Sequence, residues 1–204
     1  ASNNTAVGTS ALAANTTGAS NSAMGEVALT TNTTGAENVA VGANGLRYNT
    51  TGDKNTALGN KALQANTTAD NNTAVGYQAL LVNTTGSLNA ALGGDTLKAN
   101  TTGAQNTAVG MYALNANTTA SLNTSVGYVS MLVNTTGANN AAVGAYALDA
   151  NTTGDSNVAV GYGSLSANTT ADDNVAIGVS ALNANLGAGN VSVGRSALQS
   201  NTTG

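Results

Sequence analysis

The sequence predicts an all-β fold, a parallel β-solenoid (β-roll) of twelve 17-residue rungs. Three observations predict it. A glycine preceded by Val, Leu, Ile or Met stands at Gly8, Gly25, Gly42, Gly59, Gly76, Gly93, Gly110, Gly127, Gly144, Gly161 and Gly178, always 17 residues apart, and then at Gly194 after 16. Two asparagines are present in every one of the twelve copies. Bulky apolar residues hold two fixed positions, while every charge falls on a variable one. A 17-residue unit is too short for a helix–turn–helix repeat, which runs to about 34 residues. The array fills residues 1–204 as one domain, with rungs starting at Asn4, Asn21, Asn38, Asn55, Asn72, Asn89, Asn106, Asn123, Asn140, Asn157, Asn174 and Asn190.

Numbered from its first asparagine, the repeat reads Asn-Thr-Ala-Val-Gly-x-x-Ala-Leu-x-Ala-Asn-Thr-Thr-Gly-Ala-x. Val and Thr favour strands, so positions 1–5 are expected as a first strand. The invariant Gly at position 5 marks a bend that needs positive φ or close backbone approach. Positions 8–12 are expected as a second strand, and the Asn-Thr-Thr-Gly segment as the turn into the next rung. Parallel rungs lie about 4.8 Å apart, so each position stacks on its own counterpart. That stacking accounts for the two asparagine columns, represented by Asn72, Asn89 and Asn106 at position 1 and Asn83, Asn100 and Asn117 at position 12. A buried Asn can donate to one neighbouring rung and accept from the other, forming a ladder.

Alternation sets positions 2 and 4 on one face of the first strand and 1, 3 and 5 on the other. Position 4 is always bulky and apolar, and position 3 is Ala except at Ser125 and Ser192. Neither carries charge, so both faces read as buried. The Ala-lined face suits contact with another copy, which predicts a homotrimer or bundle; a lone solenoid with Ala packed at a tight corner is the alternative. A 51-residue period overlies the array, with Ala69, Ala120 and Ala171 replacing the turn glycine in every third rung. Ala1 and Gly204 fall at the same point of the repeat, and the chain opens without an initiator methionine or a signal segment. A fragment of a longer fibre, or a subunit stacking end to end, is therefore expected, since solenoids normally cap their ends.

Composition excludes several function classes. The chain has 204 residues, no Cys, His, Pro, Trp or Phe, only 7% charged residues and a net charge of −4. Five basic residues cannot form a nucleic-acid footprint, and no apolar run is long enough to span a bilayer. Without His or Cys, and with acids only at variable positions, acid–base or nucleophilic catalysis has no fixed residues, so no enzyme and no cofactor are expected. Calcium-binding Gly-Gly-x-Gly-x-Asp repeats are absent, and the adjacent Asp172 and Asp173 read as solvated turn residues. The Asn-Thr-Thr string satisfies the N-glycosylation acceptor pattern at Asn15, Asn32, Asn49, Asn66, Asn83, Asn100, Asn117, Asn134, Asn151, Asn168 and Asn201. Two facts favour a structural role for these asparagines. Position 1 is equally invariant but mostly outside that pattern, and Asn185 persists where Leu186 and Gly187 destroy it. Five of the six tyrosines sit at positions 6 or 7, a possible sugar-stacking surface without a fixed column.

The string Asn-Thr-Ala-Val-Gly-Tyr-Gln-Ala-Leu at 72–80 resembles the head repeat of trimeric autotransporter adhesins, through Ala74, Val75, Gly76, Ala79 and Leu80. Arrays of this kind also resemble phage tail-fibre shafts. The adhesin-head resemblance implies a trimeric left-handed parallel β-roll on a bacterial surface, although those repeats are shorter, at about 14 residues. The expected function is thus a structural component of an extracellular, cell-surface or virion fibre, with the chain itself as main partner. An adhesin or receptor-binding fibre module is the alternative, and an ice-binding solenoid built on its threonine ranks is the third.

Overall fold

A computed structural model describes residues 1–202. It contains twelve strands, from β1 (Thr5–Val7) and β2 (Ser22–Met24) through to β11 (Val175–Ile177) and β12 (Val191–Val193). They form one parallel sheet in sequence order, a β-solenoid with one strand per rung. Each residue pairs with its counterpart one repeat on, as in Thr73↔Ala90, Ala74↔Ala91 and Val75↔Leu92. The shift is 17 residues at every step except β11–β12, where Val175 pairs with Val191.

The expected first strand is present but covers only positions 2–4. The second is not a strand. Positions 6–12 form a turn in which positions 7 and 9 are left-handed in every rung, as at Gln78 (φ 54) and Leu80 (φ 52). The reason lies in the core. Ala79 and Leu80 are adjacent, yet both are fully buried, whereas a strand would send them to opposite faces. The left-handed backbone turns both inward. It is costly for non-glycine residues, about 1–2 kcal/mol each, and the cost is offset by bonds between rungs: Leu80 N–H donates to Thr96 O at 3.0 Å and Gln78 N–H to Asn60 O at 3.1 Å. Position 17 is left-handed as well, and Leu88 (φ 63) donates its N–H to Asp70 O at 3.1 Å.

The core is a thin column of Ala at positions 3 and 8 and Leu or Met at position 9, flanked by the two asparagines. This corrects the reading of the strand faces. Ala at position 3 lines the rung's own interior; Ala74 and Ala108 are completely buried. The bulky residue at position 4 points outward, and Leu58, Leu92, Val143 and Ile177 are exposed. Only small side chains fit between the strand and the turn opposite. Gly at position 5 is required twice over: its φ is +136 at Gly76, and a Cβ there would collide with the Gly93 carbonyl oxygen.

Candidate functional site

The two asparagine columns are the most elaborated chemistry in the molecule, and each has its own geometry. At position 12 the ladder joins side chains. Asn83 Nδ2 donates to Asn66 Oδ1 at 3.2 Å and to Gly86 O at 2.8 Å. Asn100 Nδ2 donates to Asn83 Oδ1 at 2.8 Å and to Gly103 O at 2.9 Å. Asn117 Nδ2 donates to Asn100 Oδ1 at 2.8 Å and to Ala120 O at 3.0 Å. Both amide hydrogens are therefore used.

At position 1 the main link between rungs runs from backbone to side chain. Asn89 N–H donates to Asn72 Oδ1 at 2.9 Å, and Asn106 N–H donates to Asn89 Oδ1 at 3.0 Å. The amide nitrogens reach across the rung: Asn89 Nδ2 donates to Gly103 O at 2.8 Å and Asn106 Nδ2 to Ala120 O at 2.9 Å. Thus the position-15 carbonyl accepts from both asparagines of its rung, which ties the strand to the returning turn. Asn72 Nδ2 has no partner, and nothing in its rung explains that.

This geometry bears directly on the glycosylation patterns. The nitrogen that would carry sugar is the one that donates to the neighbouring rung and to the position-15 carbonyl. Asn32, Asn49, Asn66, Asn83, Asn100, Asn117, Asn134, Asn151 and Asn168 are fully buried, and Asn15 and Asn201, in the end rungs, are half-buried. The paired threonines divide their work. The position-13 hydroxyl is engaged, Thr84 Oγ1 donating to Thr101 O at 3.0 Å. Position 14 is exposed, as at Thr85 and Thr102.

The short rung interrupts the position-12 ladder. With one residue fewer before Asn190, Asn185 Nδ2 turns to Gly187 O at 2.6 Å, and Asn168 Oδ1 is left buried without a partner. The column resumes at Asn201, whose Nδ2 donates to Asn185 Oδ1 at 3.2 Å.

Two features were not recognised from the sequence. Acidic residues at position 16 are not merely solvated. Asp53 Oδ1 accepts from Ala36 N–H, Asp70 Oδ1 from Asp53 N–H and Asp172 Oδ1 from Asp155 N–H, each at 2.7 Å. Asp172 and Asp173 are both exposed, as the solvated reading expects, and Asp173 is left-handed. The tyrosines are partly ordered into a column: Tyr128, Tyr146 and Tyr162 stack edge to face on successive rungs, with ring centroids 5.7 Å apart. The signal was the shared outward turn of positions 6 and 7, which lets a tyrosine at either position meet its neighbour.

Among the described residues there is no group of three or more His, Cys, Asp or Glu placed to hold a metal ion, no pocket, and no helix long and apolar enough to cross a membrane. No family model, curated protein or solved structure matches the chain.

Proposed function

We propose that the chain is a structural shaft, a rigid segment of an extracellular or virion surface fibre in which copies of the chain bundle, as a homotrimer or an end-to-end filament. One observation carries this reading: outside the short rung, successive rungs keep one strand register and, with few breaks, one inward amide network, so the molecule is organised along one axis. Its chemistry is spent on cohesion between rungs. Eleven rung intervals of about 4.8 Å give a rod of roughly 53 Å. Small-angle scattering and negative-stain imaging test this directly. The expected result is a straight rod of that length, or a multiple of it, that resists protease along its length. A compact or flexible particle, digested throughout, would rule the shaft out.

An adhesive module is the second reading, favoured by the Tyr128–Tyr146–Tyr162 stack, because exposed aromatic faces suit sugar rings. A glycan-binding screen comparing the chain with a Tyr146→Ala, Tyr162→Ala variant separates it from a passive shaft. Selective binding that the variant loses supports adhesion. Ice binding would rest on the exposed position-14 threonines, and thermal hysteresis measures it.

A further inference from the structure

The outward face of the sheet is continuous and uncharged. Positions 2 and 4 carry only Thr, Ser, Ala, Val, Leu, Ile or Met in all twelve rungs. Position 4 is invariably bulky, yet stays 50% exposed at Leu92, 40% at Val143 and 41% at Ile177. A scattered exposed valine requires no explanation, but a contiguous apolar strip along a whole rod does. From the rod geometry and the bundling reading above, we infer that this strip is the interface with a second copy of the chain, packed in parallel with like ends together.

Two arguments select that occupant. The first is area and pitch. A stable interface buries about 800 Å² per partner, which a strip roughly 53 Å long reaches at about 15 Å wide. The three strand residues with one residue on either side, at about 3.3 Å per residue, supply that width. A second copy presents the same strip at the same rung spacing, so every position-4 side chain meets an equivalent gap along the full length.

The second argument concerns direction. Positions 6 and 7, beside the strip, differ between the two halves of the rod. Rungs 2–6 carry Glu26, Lys61 and Asp95 there, whereas rungs 7–11 carry Met111, Tyr112, Tyr128, Tyr146, Tyr162 and Val179 and no charge. An antiparallel pair would set rung 7 against rung 6, rung 9 against rung 4 and rung 11 against rung 2. Met111 would then meet Asp95, Tyr146 would meet Lys61 and Val179 would meet Glu26, burying apolar groups against charges. A parallel pair turns the two position-6 edges to opposite sides of the interface, so none of these contacts forms.

Sedimentation and disulfide trapping test the proposal. The native chain is expected to sediment as a multimer. Val143→Asp combined with Val160→Asp, both outward, should give a folded monomer by circular dichroism. The milder Val143→Thr, near in shape and strand-compatible, should weaken association on the order of tenfold if the double variant fails to fold. The chain has no cysteine, so Val7→Cys and Val193→Cys, exposed position-4 sites in the middle of the strip, mark the two ends cleanly. Each variant alone should cross-link to itself on oxidation. Cross-links formed only when the two variants are mixed would show antiparallel packing and overturn the orientation. A native multimer unaffected by the position-4 changes would move the interface elsewhere while leaving bundling intact. A native monomer at all concentrations would overturn both, and one that also depresses freezing would assign the strip to ice.

Discussion

The two faces of a single three-residue strand are equally apolar and do opposite work. On the inward face, Ala74 and its flanking residues Asn72 and Gly76 are each held by a specific contact: an accepted N–H from Asn89, a completely buried methyl, and a glycine whose Cβ would strike the next rung. On the outward face, Thr73 is exposed and Val75 half-buried. Across rungs, positions 1, 3 and 5 allow only Asn, Ala or Ser, and Gly, while position 4 keeps a bulky apolar class and varies in identity.

Substitutions sharpen that contrast, and Gly76→Ala should have the largest effect. It drives a Cβ into the Gly93 carbonyl oxygen at φ +136. Solenoids fold by nearest-neighbour coupling, so the rod should split into two independently melting blocks in calorimetry. Asn106→Leu comes next. It removes the acceptor for Asn123 N–H and the donor to Ala120 O. Ala120 O keeps its bond from Asn117 Nδ2, so Asn123 N–H is the stranded group, and at about 1–3 kcal/mol for it the loss should read as a clear fall in Tm. Asn168→Ala should cost about 1 kcal/mol less than Asn117→Ala, because Asn168 Oδ1 has no partner to lose; equal losses in denaturant titrations would show that the short rung does not weaken the ladder. Lys98→Ser, which gives up only a surface ion pair with Asp95 at 2.8 Å, should shift stability by at most about 0.5 kcal/mol. If it lowered Tm as far as Asn106→Leu, the ladder would not be what holds the rungs. Intact-mass measurement adds a separate check: no sugar is expected on the nine fully buried Asn-Thr-Thr asparagines, so the mass should exclude one sugar per rung.

Much of this was legible in the sequence because self-stacking turns a buried contact into a column. The period, the glycine bend and both asparagine ladders were visible before any coordinates. The second strand was misjudged because Leu80 adopts a left-handed backbone against its intrinsic preference, which tertiary packing overrides and no propensity records. The faces of the first strand were misjudged because burial within one chain and a bare apolar strip produce the same residue classes. The bond that Asp172 accepts was missed because a carboxylate that caps a backbone N–H looks, in sequence, like any acid in a turn.

The uniform register has a consequence for how such a molecule changes over generations. Since every rung is bonded to its neighbours in nearly the same way, inserting the 51-residue cassette in register adds three rungs, or about 14 Å of reach, without creating a new contact type. Unequal recombination can therefore adjust length in discrete steps while the cross-section stays constant. The chain behaves as a ruler whose markings are its rungs, and its reach can be selected separately from its fold.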